Sequence, residues 1–186
     1  MRNKRGVAGN HFKQCVLLLL LLKSVIDKIN GDSTGKLLNQ ICRMIYRMTF
    51  VTKTIQVKSK GENDMIDITK QASRAIEESK LEQGTVTVFV SGSTAAISTI
   101  EYEPGLISDF PEMLSRTVPK HIEYKHDKTW HDGNGHSHVR ASLIGPSLTV
   151  PFKDGILMLG TWQQIVLFEM DTRQRTREIV LQINGE

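Results

Sequence analysis

Residues 139–183 read VRASLIGPSLTVPFKDGILMLGTWQQIVLFEMDTRQRTREIVLQI, and this stretch decides the fold. Five runs rich in β-branched and large apolar residues, 139–143, 147–150, 156–159, 163–169 and 175–183, predict five strands. Gly145-Pro146, Asp154-Gly155 and Asp171-Thr172 supply turn residues between them, so the strands follow one another in hairpin-like succession.

Upstream the pattern is mixed. Residues 52–57 alternate polar and apolar side chains, as a half-buried strand does. A turn at 61–64 leads to a second short strand around 66–68. Thr69 is a candidate N-cap for a helix reaching residue 82, with Ala72, Ala75 and Ile76 at helical spacing and Gly84 as its stop. Residues 85–90 are strongly β-branched and predict a strand, Ser91-Gly92-Ser93-Thr94 breaks it, and 97–102 resume extended structure. Pro104-Gly105 turns the chain into a second helix over 106–117, which ends before Pro119. The expected fold is therefore α+β: a single domain with a largely antiparallel sheet and two helices.

The 186 residues, 39% hydrophobic, suffice for one buried core. The net charge of +4 conceals an asymmetry. Residues 1–47 hold nine Lys and Arg against two Asp, whereas 48–186 hold 15 basic against 18 acidic residues. The basic character thus belongs to the first quarter and argues against nucleic acid as a partner of the domain. Both cysteines, Cys15 and Cys42, also lie there, so the rest has neither a disulfide framework nor a thiolate metal site, and a cytoplasmic setting is expected. The apolar run 15–22 is far shorter than the ~20 residues a membrane span needs, and no small-x-small cleavage site follows it. Residues 1–47 are read as an extension translated from a misplaced start codon, with a disordered or loosely helical appendage and a signal or anchor as alternatives. Gly31 to Gly35 fails as a phosphate loop: three residues separate the glycines, and Leu37 follows Lys36.

The densest polar cluster is His131-Asp132-Gly133-Asn134-Gly135-His136-Ser137-His138-Val139-Arg140. If its second half is extended, Asn134, His136, His138 and Arg140 share one face. Two imidazoles two residues apart on a strand can reach one metal ion, with a carboxylate completing the set. The same face suits a phosphate, through Arg140 and His donors. The bland alternative is a wet, Gly-rich loop. Glu101 and Glu103 are candidates for a metal carboxylate or general base, or else form an exposed acidic edge. Ser93 and Thr94 belong to a loop shaped for an oxyanion. Arg173, Arg175 and Arg177 alternate and would present three guanidinium groups on one face, either solvated or facing anions. Trp162 fits a core or interface, or a stacking site.

Several runs together resemble the YjbQ family, with archaeal-style wording. They are Ser93-Thr94-Ala95-Ala96, Ile100-Glu101-Tyr102-Glu103-Pro104-Gly105, Tyr124-Lys125-His126-Asp127, Asp132-Gly133-Asn134-Gly135-His136-Ser137-His138, Gly145-Pro146-Ser147, Leu159-Gly160-Thr161-Trp162-Gln163-Gln164 and Gln182-Ile183-Asn184-Gly185-Glu186. The resemblance covers residues 49–186 and implies a small α+β homotrimer. It also implies a weak secondary thiamine-phosphate synthase activity, joining a pyrimidine diphosphate to a thiazole phosphate, with magnesium and diphosphate contacts. Many bacterial members carry a loop His where this chain has Gly92; His126 and His131 are the spare histidines.

These readings combine into one expectation: an enzyme acting on a small phosphorylated molecule, or a non-catalytic trimeric module binding such a ligand or a metal. Glu101 and His138 are the expected catalytic residues. Ser93, Thr94, Asn134, Arg140, Trp162 and Gln163 are the expected ligand contacts. Asn134, His136 and His138 are the expected ligands of a divalent cation, magnesium or zinc. No membrane partner is expected.

Overall fold

The continuous apolar run Ile165-Val166-Leu167-Phe168 has no polar alternation because its strand is covered on both faces. The computed structural model describes residues 48–186, of which Thr49–Glu186 form a single unit; the readings made for residues 1–47 lie outside the described residues. In chain order the elements are β1 (Thr49–Lys58), β2 (Met65–Asp67), α1 (Thr69–Ser79), β3 (Gln83–Val90), β4 (Ala95–Ile100) and α2 (Pro104–Thr117). They continue with α3 (Lys125–Trp130), α4 (Gly135–Ile144), β5 (Ser147–Lys153), β6 (Ile156–Leu157), β7 (Gln164–Glu169) and β8 (Thr176–Gly185). The α+β class and the antiparallel pairing are as expected, but the described residues hold four helices rather than two.

A five-stranded sheet runs in the order β1-β8-β3-β5-β6, and a three-stranded sheet in the order β2-β7-β4. Alternate side chains of β3 (Val86, Val88, Val90) and β8 (Ile179, Leu181, Ile183) meet Ile165 and Leu167 of β7 and the buried face of α1, Ala72, Ala75 and Ile76. The opposite face of the smaller sheet, through Val166 and Phe168, packs with Leu114 of α2 and Ala141 of α4. Both faces of β7 are therefore apolar.

Local signals differ in how well they marked the ends. Asp154 (φ 54°) and Gly155 (φ 70°) both lie in the left-handed region between β5 and β6, as a two-residue hairpin turn requires. Glu103 caps α2 by accepting from the N–H groups of Gly105 (2.7 Å) and Leu106 (2.5 Å), and Pro104 opens the helix. Thr69 is not the cap of α1. Its hydroxyl accepts from the N–H of Ile165 (2.8 Å) and ties the helix start to β7, while Asp67 accepts from the N–H of Thr69. The helix stops at Ser79 because Lys80 turns left-handed (φ 59°), four residues before Gly84.

The largest correction concerns residues 134–143. Gly135–Ile144 form a helix with Asn134 at its N-cap, not a strand, so Asn134, His136, His138 and Arg140 do not share one face.

Candidate functional site

Helix α4 is held against α3 by the absence of a side chain. A Cβ on Gly135 would lie 2.4 Å from Cβ of Tyr124, and the Gly135 N–H donates to Oδ1 of Asp127 (2.8 Å). The glycine serves a close approach between segments of the chain. His131, left-handed at φ 55°, ends α3.

His136 and Arg140 lie one helical turn apart and face inward, 1% and 2% exposed. Arg140 donates through Nε to the carbonyl of Val118 (3.0 Å) and through Nη1 to Oε1 of Glu62 (3.1 Å). Nε2 of His136 lies 3.0 Å from the same oxygen, and Lys120 donates to Oε2 of Glu62 (2.5 Å). Burial pushes the carboxyl of Glu62 up, but the hydrogen bond and charge of Lys120, with His136, win and hold it below its usual value. Burial, with the charges of Arg140 and Lys120, pushes His136 down despite Glu62. His136 is thus a neutral imidazole whose Nε2–H donates to Glu62. This cluster fastens α4 to the β1–β2 loop; it leaves His136 and Arg140 buried rather than presented to a ligand.

His138 faces another way. Its ring lies 4.3 Å from that of His126, centroid to centroid. Nε2 of His126 is 3.7 Å from Oδ1 of Asp132 and forms no hydrogen bond. Oδ1 of Asn134, at the N-cap of α4, is also buried without a partner. Burial and then the neighbouring His126 lower the pKa of His138, against the pull of Asp132, Asp171 and Asp127. An imidazole so placed is neutral near pH 7 and able to give or take a proton.

These shifts set a pH dependence. The unfolded chain protonates His136 and His138 near 6.5, whereas the folded domain binds those protons only at lower pH. Their contribution to stability is complete above 6.5 and is lost as pH falls through the folded values. Thermal melts should therefore show a lower midpoint at about pH 5 than at about pH 7.5, with His138→Gln reducing the difference. A midpoint indifferent to pH across this interval would contradict the assignment.

A second polar cluster closes the end of the main core. Glu169, fully buried, accepts from Nε (2.7 Å) and Nη2 (2.5 Å) of Arg177 and from the hydroxyl of Ser59 (2.8 Å). Thr94 accepts from Nη2 of Arg177 (2.8 Å) and donates to Oδ2 of Asp171 (3.0 Å), which is also bound by Arg175. Burial raises the carboxyl of Asp171, but Arg175, the N–H of Arg173 and Thr94 together bring it below its usual value. The three alternating arginines thus do not share one solvated face: Arg177 is buried, whereas Arg173 and Arg175 are exposed. Thr94 is committed to the interior, while Ser93 is exposed.

The family profile described as "UPF0047 protein YjbQ-like" matches residues 53–186. The chain belongs to the YjbQ family. A UPF0047 protein of Methanothermobacter thermautotrophicus is 38% identical over 75% of this chain and 95% of its own length. One from Archaeoglobus fulgidus is 37% identical over 68% of this chain and 96% of its own. A YbjQ-like protein of unknown function from Sulfolobus solfataricus, solved as a crystal structure, superposes with a TM-score of 0.70 at 34% identity. That similarity covers 75% of this chain and 99% of the Sulfolobus chain.

Within this YjbQ domain the other expected site residues scatter. Glu101, half-buried at the end of β4, is not among the charges acting on His138. Glu103 is consumed as a helix cap. Oε1 of Gln163 accepts from the N–H of Gly160 (2.8 Å) and closes the turn before β7. Trp162 on that turn is 69% exposed, so it is not a core residue. Among the described residues no three His, Asp or Glu converge to hold a metal. Asn134, His136 and His138 of one chain do not fit a divalent cation, because His136 turns to Glu62 and His138 to His126. Glu62, Glu169 and Asp171 were missed; each is a lone acid outside any motif, and only the pairing across the fold marks it. Among the described residues no helix is long and apolar enough to cross a membrane.

Proposed function

We propose that the protein is a small cytoplasmic enzyme acting on a phosphorylated heterocycle, in the manner of a weak thiamine-phosphate synthase, with His138 at its reactive face. The observation that carries this reading is the close pair of His126 and His138, their rings tilted by 44°, whose segment also holds the two buried polar atoms without partners, Nε2 of His126 and Oδ1 of Asn134. Buried polar groups without partners are costly and mark places where a ligand or water completes the set. In the proposed reaction the thiazole nitrogen forms a bond to the methylene carbon of the pyrimidine. The C–O bond to diphosphate breaks, and diphosphate leaves with the electron pair. No net proton is released, so the demand on the protein is for donors to the leaving group. A neutral His138 has one N–H to give. Glu101 is retained as a second candidate.

The test is turnover of the two thiamine precursors by the purified full chain. His138→Ala is expected to lower the rate by about 100-fold, with an unchanged melting midpoint. Equal rates for variant and wild type would remove the catalytic reading. A second reading, a non-catalytic homotrimer binding a metal or phosphorylated ligand, is favoured by apolar side chains left in solvent. Leu143 (66% exposed), Ile156, Met158 and Trp162 are of the kind that subunit contacts cover. Light scattering of the full chain with inductively coupled plasma metal analysis tests it; a monomer without bound metal rejects the module.

A further inference from the structure

The guanidinium of Arg177 has one edge left over. Of its five N–H groups, the one on Nε and those on Nη2 are engaged by Glu169 and Thr94. Nη1 forms no hydrogen bond to another described residue, although Arg177 is only 8% exposed. The side chain cannot swing out to find a partner, because the two-point fork to Glu169 fixes its plane. What lies over Nη1 is Gly92. A Cβ there would stand 2.9 Å from Nη1, so the absent side chain is what leaves the approach open. Gly92 and Ser93 are exposed. The backbone N–H groups of Gly92, Ser93 and Thr94 likewise donate to no other described residue. A run of unused backbone N–H groups beside a fixed guanidinium edge is the donor set of an anion site.

Charge does not oppose an anion here. Glu169 is matched by Arg177 and Asp171 by Arg175, while Arg173 meets Asp171 only through its backbone N–H, so the two acids of the cluster are already neutralised. We propose that the open edge of Arg177 beneath Gly92, with the 92–94 loop, binds a phosphate group of a small ligand. The inference rests on the phosphorylated-ligand reading and deepens it, placing the phosphate at this loop. Phosphate is favoured over carboxylate because the site offers many separate donors, and a phosphate has more oxygens to accept from them. In this chain Gly92 is then a binding device: it exposes a charge that any larger residue would cover.

Isothermal titration of the full chain with inorganic phosphate, and separately with acetate, tests the proposal. Wild type is expected to bind phosphate and to prefer it to acetate by about tenfold or more. Gly92→Ala places a methyl 2.9 Å from Nη1 and is expected to weaken phosphate about tenfold or more. The Nη–H resonances of Arg177 should shift on phosphate addition, a readout that stands even where the alanine disturbs the loop. Unaltered affinity in Gly92→Ala, equal binding of acetate, or an unmoved Arg177 signal overturns the inference. If phosphate binding survives Gly92→Ala but is lost in His138→Ala, this placement fails while His138 keeps its role. If wild type binds no phosphate, both readings fall.

Discussion

Glu169→Ala is expected to destabilise the domain by about 3–5 kcal/mol, the range for removing one partner of a buried ion pair. Glu169 is fully buried, and Arg177 meets it with two nitrogens while Ser59 supplies a third donor. Its Oε1 also accepts from the N–H of Asp171 (2.8 Å), which shapes the turn leading to β8. Alanine leaves a guanidinium in the interior with Thr94 as its remaining hydrogen-bond acceptor and orphans the N–H of Asp171, while the Ser59 hydroxyl falls back on the carbonyl of Arg175 at 3.3 Å. Urea unfolding should show the lower midpoint without a change in slope. Glu169→Ala combined with Arg177→Met should recover part of the loss, because the stranded charge is gone. A single variant as stable as wild type would show that the pair contributes nothing.

Glu62→Ala should cost nearly as much, also on the order of 3–5 kcal/mol. Here two buried side chains lose their acceptor together, His136 and Arg140, and Lys120 loses its partner. Glu62 is 15% exposed along its side chain, so water relieves part of the penalty, and Glu169 should remain the more damaging site. The effect reaches the candidate site, because Glu62 fastens the helix that carries His138. Urea melts should report the stability loss, and hydrogen exchange should show α4 opening before the sheets do. Protection in α4 equal to that of wild type would mean that the helix is held by its apolar contacts alone. Glu62→Gln, which keeps an acceptor oxygen without the charge, should lie between the two.

The two sheets were largely legible. Alternation in 52–57 became β1, the β-branched run at 85–90 became β3, and the apolar run ending at Glu169 became β7. Of the three turns read between the later strands, one joins paired neighbours: Asp154-Gly155, both at positive φ, links β5 to β6, whereas Gly145-Pro146 follows α4 and Asp171-Thr172 leads from β7 in one sheet to β8 in the other. The helices were less legible, and α4 shows why. Val139 and Leu143 are 42% and 66% exposed, whereas His136 and Arg140 are buried. Its inward face mixes Ala141 and Ile144 with His136, Ser137 and Arg140, so the apolar signal at helical spacing is weak. The alternating polar residues then read as a strand.

The same inversion governs the site. The chemical inventory was in the sequence: two histidines at 136 and 138, an asparagine at a turn, an arginine at 140, a bare Gly92. Residue type fixed which groups could carry protons or charge, and local propensity fixed most strands. Tertiary structure alone decided which side chains meet. A helix turns each residue by 100° where a strand turns it by 180°, so His136 went to Glu62 and His138 to His126. It likewise brought Arg177 beneath Gly92, 85 residues away along the chain. Such pairings depend on strand register and helix packing, which no local stretch of sequence encodes.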